Sequence, residues 1–427
     1  MQRLIIEKLG PIESCEVEIS DYMVLTGEQS SGKSTVAKCI YLFNSASRIL
    51  FSIYKKQIAG GTLFANGDLE ELFIAEMKRV FEQSFGMINE ADSFGSTRYD
   101  YDGSDVSSIE IRFDSDSDDL KIMLSEFLHN RMSGLSRTLE TDERKNLDKI
   151  QQIIYSEMFV SDMEVVYIPA GRSMLTVLSS QINYLYSVMD DRIKSSIDYC
   201  TQQFIESVLM LKDYFNKSYT IILRQLLREL PDYEIDVKRA SSFIEKAKVV
   251  LGGEYRSSNG EERLYYDEAR YVKINFASSG QQEVVWMINI LFYYLIDRRK
   301  VFFIIEEPES HLFPEAQKTV MELISLAKNC KNRTLITTHS PYVLGTINNM
   351  LFANVVTNED NKNAVESIVP EEVRLDFRNL GAYFLEDGKL SDIRDYEYMD
   401  IDHDVIDGVS RVINEEYEKM TDISRRD

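Results

Sequence analysis

The sequence predicts an α/β fold: a mixed β-sheet core with an antiparallel β part, carrying a helical insertion. Three observations predict it. Val24 and Leu25 run into a glycine loop at Gly27, and a helix-forming stretch follows from about residue 33. Val301 to Ile305 is an apolar strand that runs straight into two carboxylates, Glu306 and Glu307. Between these strands, residues 121–160 and 174–230 carry helical spacing, with Leu175, Leu178, Ile182, Leu185 and Val188 three to four apart.

Composition sets the outer bounds. The chain has 427 residues, 44% of them hydrophobic, with 24 Tyr and 21 Phe, which excludes global disorder. Against 71 acidic side chains stand 48 basic ones, a formal charge of −23. That balance argues against a protein that coats DNA with a broad basic face, because phosphate contacts need clustered Lys and Arg. Cys15, Cys39, Cys200 and Cys330 lie far apart and not at metal-ligand spacing, as expected of reduced thiols in a cytoplasmic protein. The longest apolar run, Val284 to Ile296, is interrupted by Asn289 and is too short to span a bilayer. No membrane contact is expected.

Along the chain, residues 2–26 read as short strands, with Cys15, Val17 and Ile19 alternating with polar neighbours. A helix is expected over about 33–56. Residues 91–120 hold nine acidic and two basic residues, a net of −7, around an alternating Ile109, Ile111 and Phe113. They read as a small antiparallel element with acidic turns. Val165 to Ala170 reads as a buried strand followed by Arg172. KVVLGGEY, RLYY and YVKINF read as strands separated by a Ser-Asn-Gly turn at 258–260. Helices are expected over 281–297 and 314–328, with a strand at Thr334 to Thr338. Asp387-Gly388 sits in a hairpin over 381–394. A final amphipathic helix, about 404–420, aligns Val405, Val409, Val412, Ile413, Tyr417 and Met420. The expected division is a discontinuous core of 1–60 and 245–380, a β/α insertion at 61–164, a helical insertion at 165–244, and a C-terminal hairpin and helix at 381–427.

Four stretches carry chemistry. Gly27-Glu28-Gln29-Ser30-Ser31-Gly32-Lys33-Ser34-Thr35 fits G-x-x-x-x-G-K-[ST] between a strand and a helix. Glycines let such a loop wrap a phosphate chain with successive backbone N–H groups and a helix N-terminus. Lys33 can reach phosphate oxygens, and Ser34 can offer a hydroxyl to Mg²⁺. Glu306 and Glu307 stand at the C-terminal edge of a buried strand, where open α/β sheets hold ligands; Glu306 suits the metal and Glu307 the attacking water. Ser278-Ser279-Gly280-Gln281-Gln282 opens a long apolar helix, a second anion-binding helix end 246 residues beyond the first (279 − 33). Thr337-Thr338-His339-Ser340-Pro341 puts a histidine at the end of a β-branched strand, in reach of a γ-phosphate or water. Two phosphate-binding helix ends in one chain fit a nucleotide held between two subunits.

The order and spacing of these motifs resemble the ATP-binding-cassette ATPases, with Glu306 27 residues after Ser279 (306 − 279) and His339 32 after Glu307 (339 − 307). IIEEPESHLFPEAQ followed by LITTHSPYVL, together with YIPAGRS, is similar to the OLD-like (overcoming lysogenization defect) ATPases and their SMC-related, RecF-like cousins. The resemblance implies that Gly27, Ser30, Ser31, Gly32, Lys33, Ser34 and Thr35 form the Walker A loop, and that Ser279, Gly280 and Gln282 form the signature that contacts ATP of the opposite subunit. It implies Glu307 as catalytic glutamate, Ser310 and Leu312 as D-loop, His339 as switch histidine, and ATP and Mg²⁺ as cofactors, with Ser34 and Glu306 at the metal. Arg172 is read either as a positive element near phosphate or as a structural ion pair. Three departures stand out: Glu306 replaces the usual Asp, Gln281 replaces a signature glycine, and no Q-loop glutamine can be placed.

The resemblance further implies an ATPase that forms a homodimer or higher oligomer around ATP and controls an effector in trans, a nuclease or toxin, in a bacterial anti-phage defence system. The chain ends 88 residues after His339 (427 − 339), too few for a TOPRIM nuclease domain as well, so none is expected. Asp400-Ile401-Asp402 is expected to be an acidic linker rather than a metal site. The alternatives are a RecF-like DNA-repair ATPase with local nucleic-acid contact, a transporter subunit, and a scaffold that ATP merely stabilises.

Overall fold

The computed structural model describes residues 1–59, 68–86, 94–104, 106–114, 119–139, 146–177, 190, 194, 196–229, 235–258, 261–328, 332–402 and 414–421. Cys330, Leu178 to Val188, the tip of the Ser-Asn-Gly turn and most of the expected final helix lie outside them.

Fourteen strands carry the architecture: β1 (Arg3–Leu9), β2 (Ile12–Glu18), β3 (Tyr22–Gly27), β4 (Phe94–Asp100), β5 (Ser108–Asp114), β6 (Asp119–Leu124), β7 (Glu164–Ile168), β8 (Glu254–Ser258), β9 (Glu261–Tyr265), β10 (Tyr271–Lys273), β11 (Val301–Glu306), β12 (Arg333–Thr337), β13 (Leu380–Glu386) and β14 (Lys389–Asp392). Eleven of them form one mixed sheet in the order β6-β5-β4-β1-β2-β14-β13-β3-β12-β11-β7. The run β13-β3-β12-β11-β7 is parallel throughout, and the run from β6 to β2 is antiparallel. β8, β9 and β10 make a separate antiparallel sheet.

The parallel strands are buried on both faces, which is why they read as continuous apolar runs. Alternation still sorts their side chains. Val301, Phe303 and Ile305 of β11 join one core, beneath the long helix Ser279–Asp297, and Phe302 and Ile304 join the other, beneath the helix Lys33–Asn44. Tyr22 and Val24 of β3 divide from Met23 and Leu25 in the same way. Because these strands run parallel, Gly27, Ile168, Glu306 and Thr337 all end at one edge of the sheet.

Several sequence expectations change. The antiparallel element expected within 91–120 is present as β4, β5 and β6, and through the pairing of β4 with β1 it extends the main sheet. β13 lies directly against β3, so the C-terminal hairpin is part of the central sheet rather than a unit beside it. β7 belongs to the parallel core and pairs with β11, not to the helical insertion. The expected helix over 33–56 is two helices, Lys33–Asn44 and Ala46–Ala59, meeting at Ser45. Lys248 to Val250 finish the helix Val237–Leu251 instead of starting a strand; Gly252 stops that helix in the left-handed conformation (φ 62°). Asp400–Ile401 is not a free linker, because Asn348 bonds both the N–H and the carbonyl of Ile401 at 2.8 Å. Tyr417 and Met420 are exposed rather than packed.

Candidate nucleotide site

The glycine loop follows β3 and opens the helix Lys33–Asn44. Its two glycines are required by geometry. Gly27 has φ 142°, and a Cβ there would lie 2.2 Å from the Leu385 carbonyl oxygen. Gly32 has φ 107°, and a Cβ would meet Ile12 at 2.7 Å. Ser30 also takes a positive φ, 64°. The loop is therefore folded tightly against β2 and β13, and Glu28, Gln29 and Ser30 are left exposed around it.

Lys33 is buried, and its ammonium donates to the carbonyls of Gly27 (3.0 Å) and Glu28 (2.6 Å) and to Ser31 Oγ (3.3 Å). Burial pulls its pKa down to about 8, partly opposed by the negative charges of Glu307 and Glu309. Ser34 is exposed at the start of the helix, and Thr35 is half-buried beside it. One turn further on, Lys38 pairs with Asp198 at 2.6 Å.

Glu306 closes β11 and is buried. Its Oε2 accepts from the Ala170 N–H (3.3 Å), while Oε1 completes no hydrogen bond, with the Tyr167 hydroxyl beside the carboxylate. A buried carboxylate oxygen with an unused lone pair fits a cation ligand. The donor set, one hydroxyl at Ser34 and one carboxylate, is the sparse kind that suits Mg²⁺ held mainly by phosphate and water.

Glu307 is half-exposed and has φ 42°, unusual for a residue with a Cβ. Its N–H donates to the Thr337 carbonyl (2.9 Å), and its Oε2 accepts from Ser310 Oγ (3.0 Å). His339 Nε2 stands 3.7 Å from Glu307 Oε1. Glu309, which the sequence reading passed over, fixes the histidine from below: its Oε1 accepts from Thr338 Oγ1 (2.6 Å) and from the His339 N–H (2.9 Å). Ser340 caps the helix Pro341–Val356 and donates to Gln317 Oε1 (2.6 Å).

At the second helix end, Ser278 is the N-cap of Ser279–Asp297, and Gln281 completes a capping box. This explains the departure at Gln281: its side chain accepts from the Ser278 N–H and donates to the Leu251 carbonyl (2.7 Å). Gly280 packs so closely that a Cβ would lie 2.7 Å from the His311 carbonyl. Ser279 is exposed, whereas the Gln282 amide points back to the carbonyls of Ile274, Asn275 and Ala277. Gln282 thus shapes the turn before the helix.

Arg172 follows the second of its two sequence readings, the structural ion pair. It is fully buried; its guanidinium donates four hydrogen bonds to the carbonyls of Pro169, Glu283, Glu306 and Glu307, and Nη2 lies 3.3 Å from Glu283 Oε1. These protein partners turn it away from a phosphate role. Glu283, its carboxylate partner, was also missed; inside a helix the sequence reads as long and apolar, it was the only signal.

The edge of the parallel sheet thus gathers a glycine phosphate loop with its lysine, a buried carboxylate with one oxygen outside any hydrogen bond, and a Glu–His pair, which define a P-loop nucleotide-binding protein. Residues 1–344 match the family described as AAA ATPase domain, and the chain belongs to that family. No curated protein is significantly similar in sequence. Among solved structures it is similar to the SMC head bound to the C-winged helix domain of ScpA, at 12% identity, covering 93% of this chain and 98% of that one with a TM-score of 0.44. It is also similar to the SMC head domain from Thermotoga maritima, at 11% identity with 92% and 97% covered and a TM-score of 0.37. A third is the Smc head domain with an extended coiled coil bound to the C-terminal domain of ScpA derived from Pyrococcus furiosus, at 13% identity with 92% and 96% covered and a TM-score of 0.37. Cys15, Cys39 and Cys200 are buried free thiols. Among the described residues, no helix is long and apolar enough to cross a membrane, and no cluster of three or more His, Cys, Asp or Glu could hold a metal ion.

Proposed function

We propose that the protein hydrolyses ATP between two copies of itself and passes the nucleotide state to a partner. The observation that carries this reading is the convergence of Lys33, the Glu306 oxygen outside any hydrogen bond and the Glu307–His339 pair on one sheet edge. Backbone N–H groups of 27–35 and the Lys33 ammonium bind the β- and γ-phosphates. Ser34 and Glu306 would hold Mg²⁺, which would supply positive charge to offset that of the phosphates. Glu307, steadied by Ser310, orients and polarises the attacking water, and His339 contacts the γ-phosphate.

The exposed Ser279 and the N–H of Gly280 serve the ATP of the opposite copy, which makes the dimer ATP-dependent. The likeness of IIEEPESHLFPEAQ and LITTHSPYVL to OLD-like ATPases supports a control subunit of an anti-phage defence system, acting on a nuclease or toxin in trans. Glu307→Gln tests the core of the proposal. It should bind ATP, lose turnover and hold an ATP-dependent dimer on size-exclusion chromatography with light scattering. Normal turnover in that variant removes Glu307 from its role. Salt-dependent DNA binding by the purified protein moves the role from defence control to RecF-like repair.

A further inference from the structure

Arg172 sits where three pieces of the site meet. Nη1 donates to the carbonyls of Pro169 (2.8 Å) and Glu306 (2.7 Å), and Nη2 to the carbonyl of Glu307 (3.0 Å). Nε donates to the Glu283 carbonyl (3.0 Å), and Nη2 also lies 3.3 Å from Glu283 Oε1. Glu283 answers twice more: Oε1 accepts from the Arg172 N–H (2.9 Å) and Oε2 from the Ser173 N–H (2.7 Å). Both side chains are fully buried.

Glu283 lies one turn inside the helix whose start carries the exposed Ser279 and the buried Gly280. The Glu307 backbone, at φ 42°, is pinned on one side by the Thr337 carbonyl and on the other by Arg172. A left-handed conformation at a β-carbon residue persists only where its surroundings over-determine it. A single planar guanidinium is therefore bonded at once to the helix that meets the opposite nucleotide and to the backbone that aims the carboxylate at water.

We infer that Arg172 and Glu283 form a buried clamp that positions Glu307 and makes its alignment depend on the placement of the Ser279–Asp297 helix. Arg172 is a positioning residue here, its guanidinium bound by protein oxygens alone among the described residues, and the inference rests on the reading of Glu307 as the residue that activates water. Lysine cannot replace it, because an ammonium has no planar fork with which to reach Pro169, Glu306, Glu307 and Glu283 together.

The experiment compares wild type, Glu307→Gln, Arg172→Lys, Glu283→Gln and the double variant Arg172→Lys/Glu283→Gln. Steady-state ATP turnover is read beside the Kd of a fluorescent, non-hydrolysable ATP analogue and the melting temperature. Arg172→Lys and Glu283→Gln should each lower kcat about 100-fold while leaving Kd within about 2-fold, since misplacement of a reacting group costs rate rather than binding. The double variant should be no slower than the worse single variant, because both break one clamp. Glu283→Gln keeps the experiment decisive if Arg172→Lys does not fold. The clamp is overturned if the single variants melt earlier but turn over normally, or if their losses in kcat multiply. A wild type without turnover, or an active Glu307→Gln, instead defeats the ATPase reading on which the clamp rests.

Discussion

Lys33 makes nucleotide affinity fall with pH in a range where the phosphates of ATP no longer titrate. Burial holds its pKa at about 8 in the free protein, against an ordinary value of 10.5. Between pH 7.5 and 9.5 the charged fraction then drops from about 0.8 to about 0.03. Bound phosphate, an adjacent anion, restores the ordinary value, so the complex stays charged over most of this window. The linkage gives an affinity loss of about 20-fold from pH 7.5 to 9.5, and an uptake of about half a proton per nucleotide at pH 8. Folding runs the other way. The unfolded chain binds more protons at this lysine between pH 8 and 10.5, so its contribution to stability without nucleotide rises across that interval. Calorimetric titration with a non-hydrolysable ATP analogue, in buffers of different ionisation enthalpy, reads both affinity and proton uptake. Lys33→Arg, charged at every pH used, should be flat wherever it binds. A wild-type affinity that does not change over the window, with no proton uptake, refutes the assignment of a buried, depressed Lys33 to the phosphate site.

The other predictions are shorter. Gly27→Ala forces a Cβ to 2.2 Å from the Leu385 carbonyl at a φ of 142°, so thermal melting should show a loss of at least about 2 kcal/mol, together with loss of nucleotide binding. Glu306→Gln removes a buried charge whose Oε1 completes no hydrogen bond; its melting temperature without nucleotide should not fall, while the Mg²⁺-dependent gain in ATP affinity should vanish in parallel titrations. Thr338→Val deletes the bond to Glu309 (2.6 Å) and the one Thr338 Oγ1 accepts from the Ser340 N–H (3.0 Å). It should cost about 1–3 kcal/mol in denaturant unfolding and lower kcat by loosening His339.

Much of the site was legible because its chemistry is local. A phosphate loop is one continuous stretch with glycines at fixed offsets, and Glu306, Glu307 and His339 each follow an apolar strand whose period is visible in the residues themselves. The acidity is no argument against that assignment. The groups assigned to phosphate are backbone N–H donors and one lysine on an otherwise acidic chain with a formal charge of −23.

What stayed hidden depends on strands and helices far apart in sequence meeting in space. Nothing near residue 172 says that its guanidinium will meet carbonyls at 306 and 307 and a carboxylate at 283; only the pairing of β7 with β11 brings them together. Glu309 gave no sign that it would hold the His339 N–H, because that contact requires β11 to lie beside β12. The strands expected within 91–120 and the hairpin over 381–394 are present, but their places in the sheet were hidden for the same reason: alternation marks a strand, and pairing to β1 or β3 is settled by long-range hydrogen bonds that leave no periodic trace. The sequence determined which groups could do the chemistry; tertiary structure decided which of them touch, because buried polar groups must find their partners wherever the fold delivers them.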